Sequence, residues 1–172
     1  MAGTSEPEAA EDWAARTRGV VDWLTAGAPG TSLPNQLLGE LCRRLVACGM
    51  PLHRVAVFVA TLHPNLLGRA FLWRHDADDV EIVPIPFSTV DTVEYTENPI
   101  PRVIDTGVAL RRRLCDADCP DDFRILAELR DQGVSDYLVE PLAFTDGQVH
   151  AASWTTRAPG GFIEAQVAAL RA

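Results

Sequence analysis

Two histidines stand where a ligand or a metal ion would find them. His63 closes the apolar run RVAVFVATLH in Leu62-His63-Pro64, and His150 lies in a second strand-like run, Gln148 to Thr156. If those strands are neighbours, both imidazoles can line one cavity, where a histidine donates, accepts or ligates; the plainer alternative is a pair of hydrogen-bonded structural histidines. Trp73, Tyr137 and Trp154 also fall on strand-like runs. Such side chains wall apolar pockets while offering one polar handle each, and core packing accounts for the same residues. Cys115 and Cys119 sit among Asp116, Asp118, Asp121 and Asp122 at a spacing a metal accepts. A structural zinc site needs a second pair, and Cys42 and Cys48 lack the matching spacing. The candidate metal ligands are therefore His63, His150, Cys115 and Cys119, and they form no complete set.

Covalent catalysis finds little to work with. There is no G-x-S-x-G and no G-x-x-x-x-G-K-[ST], and all 15 basic residues are arginine, so neither a P-loop lysine nor a Schiff base exists. A net charge of −9 argues against a groove that tracks nucleic-acid phosphates. The run Arg111, Arg112, Arg113 precedes the acidic segment at Cys115 to Asp122 and reads as a surface cluster balanced by those acids. The N-terminus is acidic where a secretion signal would be basic and then apolar, and no apolar run approaches the roughly 20 residues that span a bilayer. A cytoplasmic protein with reduced thiols is expected. Cys42 and Cys48 fall in one helical pattern, roughly 120° apart around its axis, and cannot pair there.

At 172 residues the chain can bury a core without staples, and one domain is expected: an N-terminal helical segment over 1–30 ahead of a body over 31–172. Trp13, Val20, Val21 and Leu24 recur at helical spacing from Glu11 to Ala26; Leu37, Leu38, Leu41 and Leu45 mark a second helix closed by Gly49. Arg54 to His63 is apolar on both faces, as a central strand must be, and Arg69 to His75 returns beside it. Val80 to Val83 predicts a third strand ended by Pro84 and Pro86. Asn98-Pro99 opens a short helix that reaches Thr106 before Gly107, and Val108 to Leu114 reads as an edge strand. A helix over Asp121 to Asp131 precedes a hairpin. There, Asp146-Gly147 fits a two-residue turn that sets Ala143 against His150 and Val139 against Trp154, so that Tyr137, Val139, His150 and Trp154 share one face. Phe162, Ile163, Val167 and Leu170 belong to a last helix, inside which the chain stops.

The order predicts an α+β fold, a five- or six-stranded antiparallel sheet with helices mainly on one face, the layout of GAF and PAS domains. PLHRVAVFVATLHPNLLGRAFLW, then TGVALRRRL, then CPDDFRILAELRDQGVSDYLVEPLAFTDGQVHAASWTTRAPGGF go further. Over about Leu37 to Leu170 they resemble the N-terminal GAF-like region of a bacterial class III adenylate/guanylate cyclase subgroup. The resemblance implies a regulatory module without catalytic residues of its own, since nothing matches the cyclase metal site, and a chain that is either a cut fragment or naturally short. It implies a pocket between the sheet and Phe87 to Thr106, with Arg102, next to the covering helix, available to an anion. Candidate ligand-binding residues are thus His63, Trp73, Arg102, Tyr137, His150 and Trp154. The expected partners are a small molecule, a second copy of the chain through the Trp13, Val20, Leu24 and Leu37, Leu41, Leu45 stripes, and an attached or separate cyclase domain; no cofactor is named, and neither nucleic acid nor membrane is expected. Two other readings stay open, a GAF-type thiol oxidoreductase of the methionine sulfoxide reductase kind and a pure dimerisation module.

Overall fold

The structure, a computed structural model, describes residues 6–144 and 147–172. Six strands form a single antiparallel sheet in the order β3-β2-β1-β6-β5-β4. In chain order the elements are α1 (Glu6–Thr25), α2 (Pro34–Ala47), β1 (Arg54–His63), β2 (Leu66–Arg74), β3 (Glu81–Pro86), α3 (Val93–Thr96), α4 (Pro99–Thr106), β4 (Leu110–Arg112), α5 (Ile125–Asp131), β5 (Asp136–Ala143), β6 (Val149–Thr156) and α6 (Glu164–Arg171).

Because β1 is apolar on both sides, it can sit inside the sheet with a core on each face. On one face Val55, Phe71, Trp73, Leu138 and Trp154 pack under α1, α2 and α6, against Trp13, Val20, Leu38, Cys42, Leu45 and Val167. This is the larger helical layer. On the other face Tyr137, Val139 and Ala151 meet Val103 of α4 and Leu126 and Leu129 of α5. The stripes offered for dimer contact are mostly consumed here: Trp13, Val20 and Leu45 are buried in the chain's own core, while Leu24 and Leu37 stay partly exposed. Cys42 is buried in that core and Cys48 caps α2; all four cysteines are free thiols.

Two expectations are corrected. β3 does not stop at its prolines but runs through both, with Pro84 opposite Arg69 and Pro86 opposite Leu66. It is an edge strand, where a proline is tolerated at positions whose N–H would face outward, away from β2. The hairpin register is also one residue away from the expected one. Ala143 faces Val149, Leu142 faces His150 and Leu138 faces Trp154. The Asp146 half of the expected turn lies outside the described residues, but its flanks show the cause. The Phe144 N–H donates to the Gln148 carbonyl at 2.9 Å, the Gly147 N–H donates to the Phe144 carbonyl at 3.0 Å, and Gly147 is left-handed at φ 83°. That pattern suits a longer connection with glycine at its left-handed position. A slip of one residue exchanges faces, so His150 and Trp154 lie with Leu138 and Leu142, away from Tyr137.

Candidate functional site

α4 starts where Asn98 Oδ1 accepts the Ile100 N–H at 3.0 Å and Pro99 enters its first turn, and it ends at the left-handed Gly107. Ahead of it, Thr92 caps the one-turn α3 by accepting the Tyr95 N–H. These short helices roof the second face of the sheet and leave a cleft of about 230 Å³ beneath them. Its floor comes from alternate positions on neighbouring strands: Arg54, Ala56 and Phe58 of β1, Ala70 of β2, Ile85 of β3, Tyr137 of β5 and Ser153 of β6. Tyr95, Asn98, Ile100, Pro101, Ile104 and Ile125 close it from above, with Glu94 at the rim. The room exists because the centre of the floor is small. Ala56, Ala70 and Ser153 occupy positions where a leucine or phenylalanine would reach the roof.

The polar groups in this apolar hollow are few and firmly placed. Tyr137 is buried, and burial pushes its phenol well above the ordinary value, offset in part by the Arg54 guanidinium and a hydrogen bond with Ser153. It therefore stays a neutral hydroxyl. Arg54 is half-buried, and its backbone is clamped to β6 by a reciprocal pair: its N–H donates to Thr155 Oγ1, which donates to the Arg54 carbonyl, both at 3.0 Å. Tyr95 is also raised, by burial and then by the Asp105 carboxylate. Such a site can bind an amphipathic molecule by its apolar body and orient it with a hydroxyl pair and one cation.

The six candidate residues divide. Tyr137 is in the cleft floor. Trp73 and Trp154 are buried on the opposite face, and the Trp154 Nε1 has no hydrogen-bond partner among the described residues. His150 is buried on that same face, its Nδ1 accepting the Ala60 N–H at 3.1 Å and its ring edge-on to Phe144. His63 is exposed at the β1–β2 turn, where its Nδ1 accepts the Asn65 N–H at 3.2 Å. Arg102 points outward, 4.0 Å from Asp122 and over the Phe123 ring, although its neighbour Pro101 lines the cleft. Among the described residues no cysteine lines the cleft, and no group of three or more His, Cys, Asp or Glu side chains could hold a metal ion. The candidates His63, His150, Cys115 and Cys119 are thus not assembled into such a group among the described residues.

The arginine run also differs in detail from its expected role. Arg112 and Arg113 do pair with nearby acids, Asp122 and Asp116. Arg111 instead reaches the fully buried Asp136 at 2.7 Å, the Phe162 carbonyl at 2.6 Å and Glu164 at the start of α6. Asp136 also accepts the Phe162 N–H at 3.0 Å. This network ties α6 to β4 and β5, one residue from Tyr137.

No protein-family model and no curated protein matches the sequence. Solved structures do match the fold. The A. Aeolicus nlh2 GAF domain in an inactive state superposes with a TM-score of 0.57 at 10% identity, over 93% of this chain and 86% of that one. The GAF domain of a Coxiella burnetii phosphoenolpyruvate-protein phosphotransferase gives 0.55 at 13% identity, over 94% and 87%. The phycocyanobilin-bound GAF domain of a cyanobacterial phytochrome gives 0.50 at 13% identity, over 99% and 90%. The fold is thus the α+β antiparallel GAF type. Among the described residues no helix is long and apolar enough to cross a membrane.

Proposed function

We propose that the chain is a regulatory module that binds a small molecule in the cleft between the sheet and α3–α4. Occupancy would control an attached enzymatic domain, a class III nucleotide cyclase according to the sequence resemblance, without catalysis by this chain. The observation that carries the reading is the cleft itself: about 230 Å³ floored by small side chains, roofed by short helices and furnished with the Arg54, Tyr137 and Ser153 polar groups. Such a module works only if its ligand binds one conformation more tightly than the other. α6 is the element through which that difference would leave the domain, because Asp136 and Arg111 join its N-terminus to the strand that carries Tyr137. A homodimer is part of the same reading, through the partly exposed Leu24, Leu33 and Leu37.

The test is a thermal-shift screen of small metabolites against the wild type and Ala70→Leu, which fills the floor. A ligand at a hundredfold excess over its Kd stabilises by about 2.7 kcal/mol, a rise of roughly 5–10 °C for a domain of this size. Stabilisation in the wild type that disappears in Ala70→Leu is expected. Compounds that stabilise both proteins equally, or none that stabilises the wild type, would leave the dimerisation reading in its place. Light scattering on the two proteins reads the dimer separately.

A further inference from the structure

Among the described residues Arg54 is the guanidinium left without a counter-ion in a partly dry place. Among the described residues, eleven arginines have a carboxylate within 4.0 Å. The other four are Arg18, Arg69, Arg157 and Arg54; the first three are exposed, whereas Arg54 is half-buried in the cleft floor. Holding a charge away from water without a partner is costly, and a guanidinium presents a planar fork matched to a carboxylate. We propose that the ligand of the cleft is a small organic monocarboxylate, its carboxylate on Arg54 with Tyr137 and Ser153 beside it and its aliphatic or aromatic body against Phe58, Ala70, Ile85 and Ile104.

Three observations narrow the class. Among the described residues Arg54 is the one cation that lines the cleft, and the chain contains no lysine, so a phosphate-rich ligand finds too little positive charge. Glu94, the carboxylate at the rim, is held by Arg124 at 3.8 Å and opposes a second negative charge at the mouth. The volume lies below the roughly 300–1,000 Å³ of pockets that hold drug-sized ligands, which favours a body the size of a branched aliphatic or single-ring acid. Tyr137, a phenol neutral at physiological pH and held the more so by burial, can donate to the carboxylate.

This inference rests on the cleft being a ligand site, and the experiment separates the two. The whole chain is titrated calorimetrically with phenylacetate and 4-methylpentanoate, with the matching neutral amides, and with indole as an uncharged filler, in the wild type and Arg54→Met. The carboxylates should bind the wild type at least tenfold more tightly than their amides, and Arg54→Met should lose that preference while retaining the affinity for indole. Equal binding of acids and amides by the wild type, or a preference that survives in Arg54→Met, overturns anion recognition and leaves the cleft intact as a site. Failure of acids, amides and indole alike to bind the wild type overturns both.

Discussion

Replacing Asp136 by alanine tests whether the buried ion pair holds α6 to the sheet. Asp136 is fully buried and accepts from Arg111 at 2.7 Å and from the Phe162 N–H at 3.0 Å. Asp136→Ala strands the Phe162 N–H in a residue that is 1% exposed, at a cost of about 1–3 kcal/mol for an unsatisfied donor. Arg111 keeps Glu164 and the Phe162 carbonyl, so its share lies toward the low end, and the sum is about 3 kcal/mol, at the lower edge of the roughly 3–5 kcal/mol for breaking a buried pair. Urea unfolding followed by the fluorescence of Trp13, Trp23, Trp73 and Trp154 reads this directly. With a slope of about 2 kcal/mol per molar, the midpoint should fall by roughly 1.5 M at unchanged slope. Arg111→Met leaves the Asp136 carboxylate buried without its cation and should cost a similar amount, whereas the double variant should cost clearly less than the two together. A loss below about 1 kcal/mol for Asp136→Ala, or strict additivity of the pair, would show that the ion pair does not hold α6 to the sheet.

Further outcomes follow from the same geometry. Trp154→Ala should lower stability by about 3–5 kcal/mol without altering the affinity of a cleft ligand, and Trp154→Phe should cost much less because the indole N–H has no partner to lose; calorimetry and urea unfolding check both. Gly161→Ala should destabilise by at least about 1 kcal/mol in the same unfolding assay, since Gly161 has φ 78° and an added Cβ would sit 2.6 Å from Asp136 Oδ2. His53 titrates below its ordinary value through burial and then the Arg157 charge, and Asp122 does so through its hydrogen bond from Arg112. In both cases the unfolded chain holds more protons, so the stability is present above the unfolded pKa and is lost as pH falls through the folded one. His53→Gln should therefore flatten the decline of Tm below about pH 6.5, and Asp122→Asn the decline below about pH 4; an unchanged profile in either variant would show that its group is not involved.

Much of the fold is legible in local chemistry. The two-sided apolar run at Arg54 to His63 requires a central position, and Asn98-Pro99 with Gly107 marks the roof helix that the structure shows as α4. The family resemblance implies a pocket under Phe87 to Thr106; the structure has a cleft of about 230 Å³ between the sheet and α3–α4. What local chemistry does not reveal is register. Asp146-Gly147 reads as the shortest hairpin turn, yet the flanking bonds at Phe144, Gly147 and Gln148 set Leu138 opposite Trp154. That one residue moves Trp154 and His150 into the helix-covered core and leaves Tyr137 alone of the six on the cleft. Arg54 was missed for a related reason. A single charge opening an apolar strand looks like a surface residue until β5 and β6 bring Tyr137 and Ser153 beside it. The partner of Arg111 was equally hidden, because the nearby acids at Asp116 to Asp122 satisfy the neighbouring arginines and nothing local points to Asp136.

Backbone amide NMR of the isotope-labelled chain, titrated with the best-binding compound of the thermal-shift panel, reads out whether the cleft is the ligand site. The largest shift changes should fall on Ala56, Phe58, Ala70, Ile104 and Tyr137 along the cleft, with smaller ones running through Asp136 and Phe162 into α6. Changes centred on Leu38, Trp73 and Trp154 across the sheet, with the cleft residues unmoved, would contradict the cleft as that site.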